Sequence, residues 1–199
     1  MKAFLIVLAI ALVSLNAFAQ TLVHRFIVQP SSTLNIEGTT NINTYECAII
    51  RYRGNDTLVL HEGGRNIRPV FVKGAVELDA SSCDCGIPLM TSDFRKAINS
   101  KEHPSIIIDL ISFERMPVYA SQPDQFKGII KISLAGVTKV FEVNCSINAT
   151  QAGIIHLNGS RVFNFSDFNI IPPTRVLGAV RVNQSLTVSF HLQLRIDQT

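Results

Sequence analysis

The sequence predicts an all-β protein, built as one antiparallel sandwich or barrel, and three observations predict it. The C-terminal stretch alternates strictly, Leu186, Val188, Phe190, Leu192, Leu194 and Ile196 against Thr187, Ser189, His191, Gln193, Arg195 and Asp197, which is the two-residue period of a strand with one dry and one wet face. The same period recurs in Val70, Val72, Val76 and Leu78, and again in Ile130, Ile132 and Leu134. Glycine-containing turns at 53–56, 63–64 and 135–136 separate such runs, and a single segment has helical character. Numerous strands without alternating helices argue against a parallel α/β sheet. A closed barrel has the added merit of removing exposed edges.

In chain order, the first element is not part of the fold. Met1-Lys2-Ala3 precedes an apolar run from Phe4 to Val13 that ends near Ala17-Phe18-Ala19, the pattern of a secretory signal. Residues 1–19 are therefore read as a signal peptide and 20–199 as one mature, almost entirely β-stranded domain, beginning at Gln20, in a periplasmic or secreted protein. The apolar run is short for a bilayer span and no basic cluster follows it, so no stable membrane anchor is expected. Strands are then expected around 34–36, 45–52, Thr57–His61, 70–78, Ser105–Phe113, 130–134, 139–147, 154–157 and 186–196. The one helix is expected over 92–99, with Thr91 as N-cap and Asp93 favoured by the helix dipole. Pro104 blocks its continuation.

Composition narrows the function classes. The formal net charge is only +3 and the basic residues are scattered, so there is no footprint for nucleic acid. Cys47, Cys83, Cys85 and Cys145 all lie in the mature part, where an oxidising compartment would pair some of them. Cys83 and Cys85, one residue apart, point the same way in an extended segment and are poorly placed to bond to each other. His24, His61, His103, His156 and His191 are dispersed without ligand spacing, so neither a metal nor another cofactor is expected. A homodimer is compatible with these features.

Five segments, in order and spacing, resemble the YceI-like family: 32–41, Leu89-Met90-Thr91-Ser92-Asp93-Phe94-Arg95-Lys96-Ala97, His103-Pro104-Ser105-Ile106, Leu134-Ala135-Gly136-Val137-Thr138-Lys139, and Ser166-Asp167-Phe168 with Pro172-Pro173. The resemblance covers nearly the whole mature chain. It implies a lipocalin-like antiparallel eight-stranded β-barrel with one short helix, exported in bacteria, whose apolar interior holds a polyisoprenoid or similar lipid. Cys47 together with Asp84-Cys85-Gly86 is similar to the Bacteroidetes-type members, in which Cys47 and Cys85 would be the natural pair. Cys83 and Cys145 are extra to that pattern and are assigned a second bridge. Asn43-Thr44-Tyr45-Glu46 departs from the aromatic, Trp- or His-containing sequence that lipid-binding members carry there.

The chemistry so implied is burial without reaction. The inward parity nominates Ile106, Ile108, Leu110, Ile130, Ile132, Phe141, Val143, Leu186, Val188 and Phe190 as lining residues, and an apolar tail gains about 0.8 kcal/mol per buried methylene against them. The competing reading is a filled barrel that acts through its surface as a structural or partner-binding protein. Ser92 and the first amides of the helix are candidates for a phosphate head group, with Arg95, Lys96 and Lys139 as auxiliary cations or plain surface. No Gly-x-Ser-x-Gly elbow, His-Glu-x-x-His or phosphate-binding loop is present, so a hydrolase is the least favoured reading. Ser166-Asp167 is read as turn chemistry. Six Asn-x-Ser/Thr sequons, at Asn55, Asn144, Asn148, Asn158, Asn164 and Asn183, matter only in a glycosylating pathway.

Overall fold

The computed structural model describes residues 22–49, 52–64, 67–150, 152–175 and 177–197; the segment 1–19 read as a signal lies outside the described residues. Twelve strands appear among them: β1 (Val23–Val28), β2 (Thr33–Thr40), β3 (Thr44–Ile49), β4 (Thr57–His61), β5 (Val70–Lys73), β6 (Ala75–Asp79), β7 (Ser105–Phe113), β8 (Asp124–Leu134), β9 (Val137–Ala149), β10 (Ile154–Asn164), β11 (Thr174–Arg175) and β12 (Val180–Ile196). One helix, α1 (Pro88–Ala97), joins β6 to β7. All strand pairings are antiparallel, and the ring closes where β1 meets β12, Phe26 opposite Ile196 and Val28 opposite Leu194.

Eight strand positions make this closed barrel because three of them are broken in the middle. β1 and β2 both pair with β12, one after the other, so they form a single bent strand. Pro30 explains the break, since it has no N–H to give the ladder. β12 stays bonded across it, with Gln29 N donating to the Gln193 carbonyl at 2.8 Å and Gln193 N to Ser32 Oγ at 3.0 Å. β3 and β4 likewise follow β2 and β1 in turn. The third break, between β5 and β6, falls at Gly74, where any Cβ would lie 1.9 Å from the Leu110 carbonyl oxygen; only glycine lets the two backbones approach so closely.

The ladder continues from β4 to β5, but β3 has no such partner in β6. The gap is closed by the segment leading into α1: Ala48 exchanges backbone hydrogen bonds with Asp84, at 2.7 and 2.9 Å, and a disulfide joins Cys47 to Cys85. Asp56 pins the loop on the other side, accepting from Glu77 N at 3.2 Å and from the Tyr52 hydroxyl.

The helix begins four residues before the expected start. Pro88 occupies the first helical position, where its missing N–H costs nothing and its fixed φ suits the turn. Ile87 is the N-cap, and Thr91 lies inside the helix rather than capping it. The expectation of a second bridge is also corrected: Cys83 and Cys145 are free and buried. Cys145 faces the interior from β9, 3.1 Å from where a Gly128 side chain would begin, whereas Cys83 sits at the gap beside Cys47 and Cys85, the three sulfurs within 4.8 Å of one another. Burial pushes both free thiols up to about 12.

Candidate functional site

The two ends of the barrel differ. The end away from α1 is solid: Phe71, Phe113 and Phe126 pack edge to face, with centroids 5.0 and 4.8 Å apart, and Phe26 lies against Tyr119. Leu58, Leu60, Ile147, Ile155 and Leu194 complete this half, all buried. Gly159 belongs to the same filling, since the Phe190 ring occupies the space its Cβ would take.

At the other end α1 forms a roof, and the spacing of its residues divides the work. Thr91 and Arg95, four apart and thus on one helical face, hold the cysteine segment: the Thr91 hydroxyl accepts from Cys85 N at 2.9 Å and donates to Asp84 at 3.1 Å, while Arg95 donates twice to the Cys83 carbonyl at 3.0 and 2.7 Å. The Gly86 amide and the Thr91 hydroxyl hold the Asp84 carboxyl below the usual carboxylate range. Phe94 and Ile98, also four apart, are buried and face into the barrel.

Below this roof lies an inner chamber of about 70 Å³, lined by Leu34 and Ile36 of β2, Ile106 of β7, Ile132 of β8, Leu186 and Val188 of β12, and the aromatic rings of Phe163, Phe165 and Phe168. Among the described residues Asn164 is its only polar neighbour. Phe94 and Phe165 form a shared wall with an outer cavity of about 200 Å³, which is walled by Ile42 and Tyr45, by Ile87, Leu89 and Met90, and by Val180 and Val182. A paired carboxylate and guanidinium, Asp93 of α1 and Arg175 of β11, stand at this cavity.

Of the ten nominated lining residues, Ile106, Ile132, Leu186 and Val188 border the inner chamber. Ile108, Leu110, Ile130, Val143 and Phe190 are buried in packed barrel and border neither cavity, and Phe141 packs on Phe163 and Phe168. Strand parity says which side chains point inward, but not how far along the barrel the space is open. Ser92 does not head the helix and is exposed, so the candidate phosphate site at the helix start is not assembled around it. Lys96 and Lys139 are exposed. Asp167 accepts from Asn164 N at 2.9 Å in the 3-10 turn Phe165–Phe168, as turn chemistry requires. The rings contributed by that turn escaped the strand pattern, whereas the four-residue spacing of Phe94 and Ile98 was a usable signal.

A closed eight-stranded barrel with an apolar chamber at one end defines the class: a lipocalin-like antiparallel β-barrel. Within it the chain has the YceI-like fold. It superimposes on a polyisoprenoid-binding domain from Saccharophagus degradans implicated in plant cell wall breakdown, with a TM-score of 0.62, 12% identity, and 86% of this chain and 98% of that one covered. BcnA of Burkholderia cenocepacia matches with a TM-score of 0.62 at 14% identity, over 83% of this chain and 98% of that one. A Campylobacter jejuni YceI protein, crystallised with a monobromobimane guest, matches at 0.50 and 14% identity over 65% and 74%. No protein-family model and no curated protein sequence matches the chain.

Proposed function

We propose that the protein is an exported carrier, a Bacteroidetes-type YceI-like protein, that holds the end of a polyisoprenoid or similar apolar lipid under α1 and catalyses no reaction. The observation that carries this reading is the apolar chamber: two adjoining cavities that share Phe94 and Phe165 as a wall, the inner one with a single polar neighbour among the described residues. A hydrocarbon tail placed there trades water for aliphatic and aromatic contact. The polyisoprenoid-binding barrel of the same fold supports the choice of ligand. Export is supported by the N-terminal apolar segment and by the Cys47–Cys85 bridge.

The cavities of 200 and 70 Å³ are each below the usual range of small-molecule sites, about 300–1,000 Å³. The barrel therefore takes the terminus of a chain, and a longer stretch requires α1 to lift. The packed lower half favours a second reading, a filled barrel that acts through its outer surface.

Native mass spectrometry of the protein purified from its exporting host, followed by solvent extraction, separates the two. A stoichiometric prenyl or acyl species is expected; a bare mass that persists after incubation with polyprenyl phosphate and fatty acids would establish the filled barrel. Val188→Trp, which fills the inner chamber, is expected to weaken binding of a fluorescent prenyl probe at least tenfold while circular dichroism stays that of the wild type.

A further inference from the structure

The register places an unusual set of side chains on the outside of the barrel. Across β2, β12, β10 and β9, Asn35 stands opposite Ser189, Ser189 opposite Ser160, and Ser160 opposite Asn144. One step along, Thr33, His191, Asn158, Ser146 and Gln125 form a parallel row that reaches β8. All nine are amides, hydroxyls or an imidazole, and together they line a groove of about 310 Å³. The first row has large amides at its ends and serines in the middle, which makes the trough.

Among the described residues, His191 alone of the nine spends its side chain on a bond within the chain, to His156 at 2.8 Å. The other eight make no side-chain bond within the chain, and their donors and acceptors are open to water or to an outside partner. Burial, with His156 beside it, lowers the pKa of His191 and keeps the imidazole uncharged near neutrality. Lys127, opposite Asn144 across the ladder, pairs with Glu142 at 2.6 Å.

We infer that this groove is a second binding site, for a neutral polyhydroxylated chain such as an uncharged glycan. An anion would call for cations and a cation for carboxylates, and the groove has neither. A protein interface would be expected to carry aromatic and arginine anchors; the groove shows only Phe190, at its floor. A polyol offers alternating donors and acceptors of its own, matched by amides and hydroxyls that serve in both roles. Five strands at about 4.8 Å spacing give the second row a span of about 19 Å, room for several sugar rings in line. The site lies outside the barrel, so it stands or falls apart from the lipid chamber.

The test is an NMR titration of bacterially produced protein with cellohexaose, chitohexaose, mannohexaose and maltohexaose at millimolar concentration. At least one is expected to give saturable shifts of the Asn35, Asn144 and Asn158 side-chain amides. The double substitution Asn144→Ala with Asn158→Ala should weaken that binding tenfold or more, and Ser160→Tyr, which fills the trough from an exposed position, should abolish it. Neither should alter binding of the prenyl probe. Shifts with none of the four sugars, or binding that survives both variants, would overturn the assignment.

Discussion

His156 and His191, stacked with centroids 5.1 Å apart and bonded at 2.8 Å, bond through a lone pair on one ring, so double protonation breaks the contact. The pKa of His191 is lowered, first by burial and then by His156, so below about pH 6.5, the ordinary imidazole value, the folded protein binds fewer protons than the unfolded chain. The pair's contribution is therefore complete above that pH and is lost as pH falls through the lower folded-state pKa. Thermal melts from pH 7.5 to 5 should show a decline in Tm that His191→Asn flattens. Cys47 offers a second test. Its bridge to Cys85 closes a loop with a sequence separation of 38, which the chain-entropy model values at about 4 kcal/mol. Cys47→Ser should lose about that much in urea unfolding and, unlike the wild type, should not respond to dithiothreitol. Single residues were partly legible beforehand. Period two oriented Ile106 and Ile132 correctly toward the interior, but nothing local to Leu110 or Phe190 announced that their half of the barrel is full, because filling depends on rings contributed by distant strands.

α1 shows what a short element reveals and conceals. Its existence was readable from 92–99, yet its start was not, because the Pro88 that opens it reads equally well as a loop residue. Its role as a roof follows from Phe94 and Ile98 sharing one face while Thr91 and Arg95 share another. Phe94→Ala should cost about 3 kcal/mol, measured by urea unfolding, and should merge the inner and outer cavities that Phe94 now divides. Among strands, β1 went unrecognised because Val23-His24-Arg25-Phe26-Ile27-Val28 is interrupted by charge and cut short by Pro30. Its continuation into β2 is visible only once β12 is seen to run past both. The long strands β7, β8, β9 and β12 were legible because each holds a dry face over many residues.

At the scale of the molecule, closure rests on a few pairs between β1 and the last turns of β12, where Leu192 and Leu194 are buried. A chain truncated after His191 should lose both side chains and the seam with them, and its near-UV circular dichroism should show no cooperative melt. The all-β antiparallel class followed from strand number and the absence of alternating helices, and the choice of a barrel over a sandwich came from the resemblance; the site's position at one end followed from neither, since it depends on where α1 and the cysteine segment bridge the missing pairing between β3 and β6. The seam has a temporal consequence as well. β1 is synthesised first and its partner last, so the ring has its most non-local contact as its closing step. Until the final residues are available the sheet has two open edges where the seam will be. The hairpins from β7 to β10 can pair as they emerge, but the ring can shut only once the end of β12 and β1 are on the same side of any barrier the chain must cross.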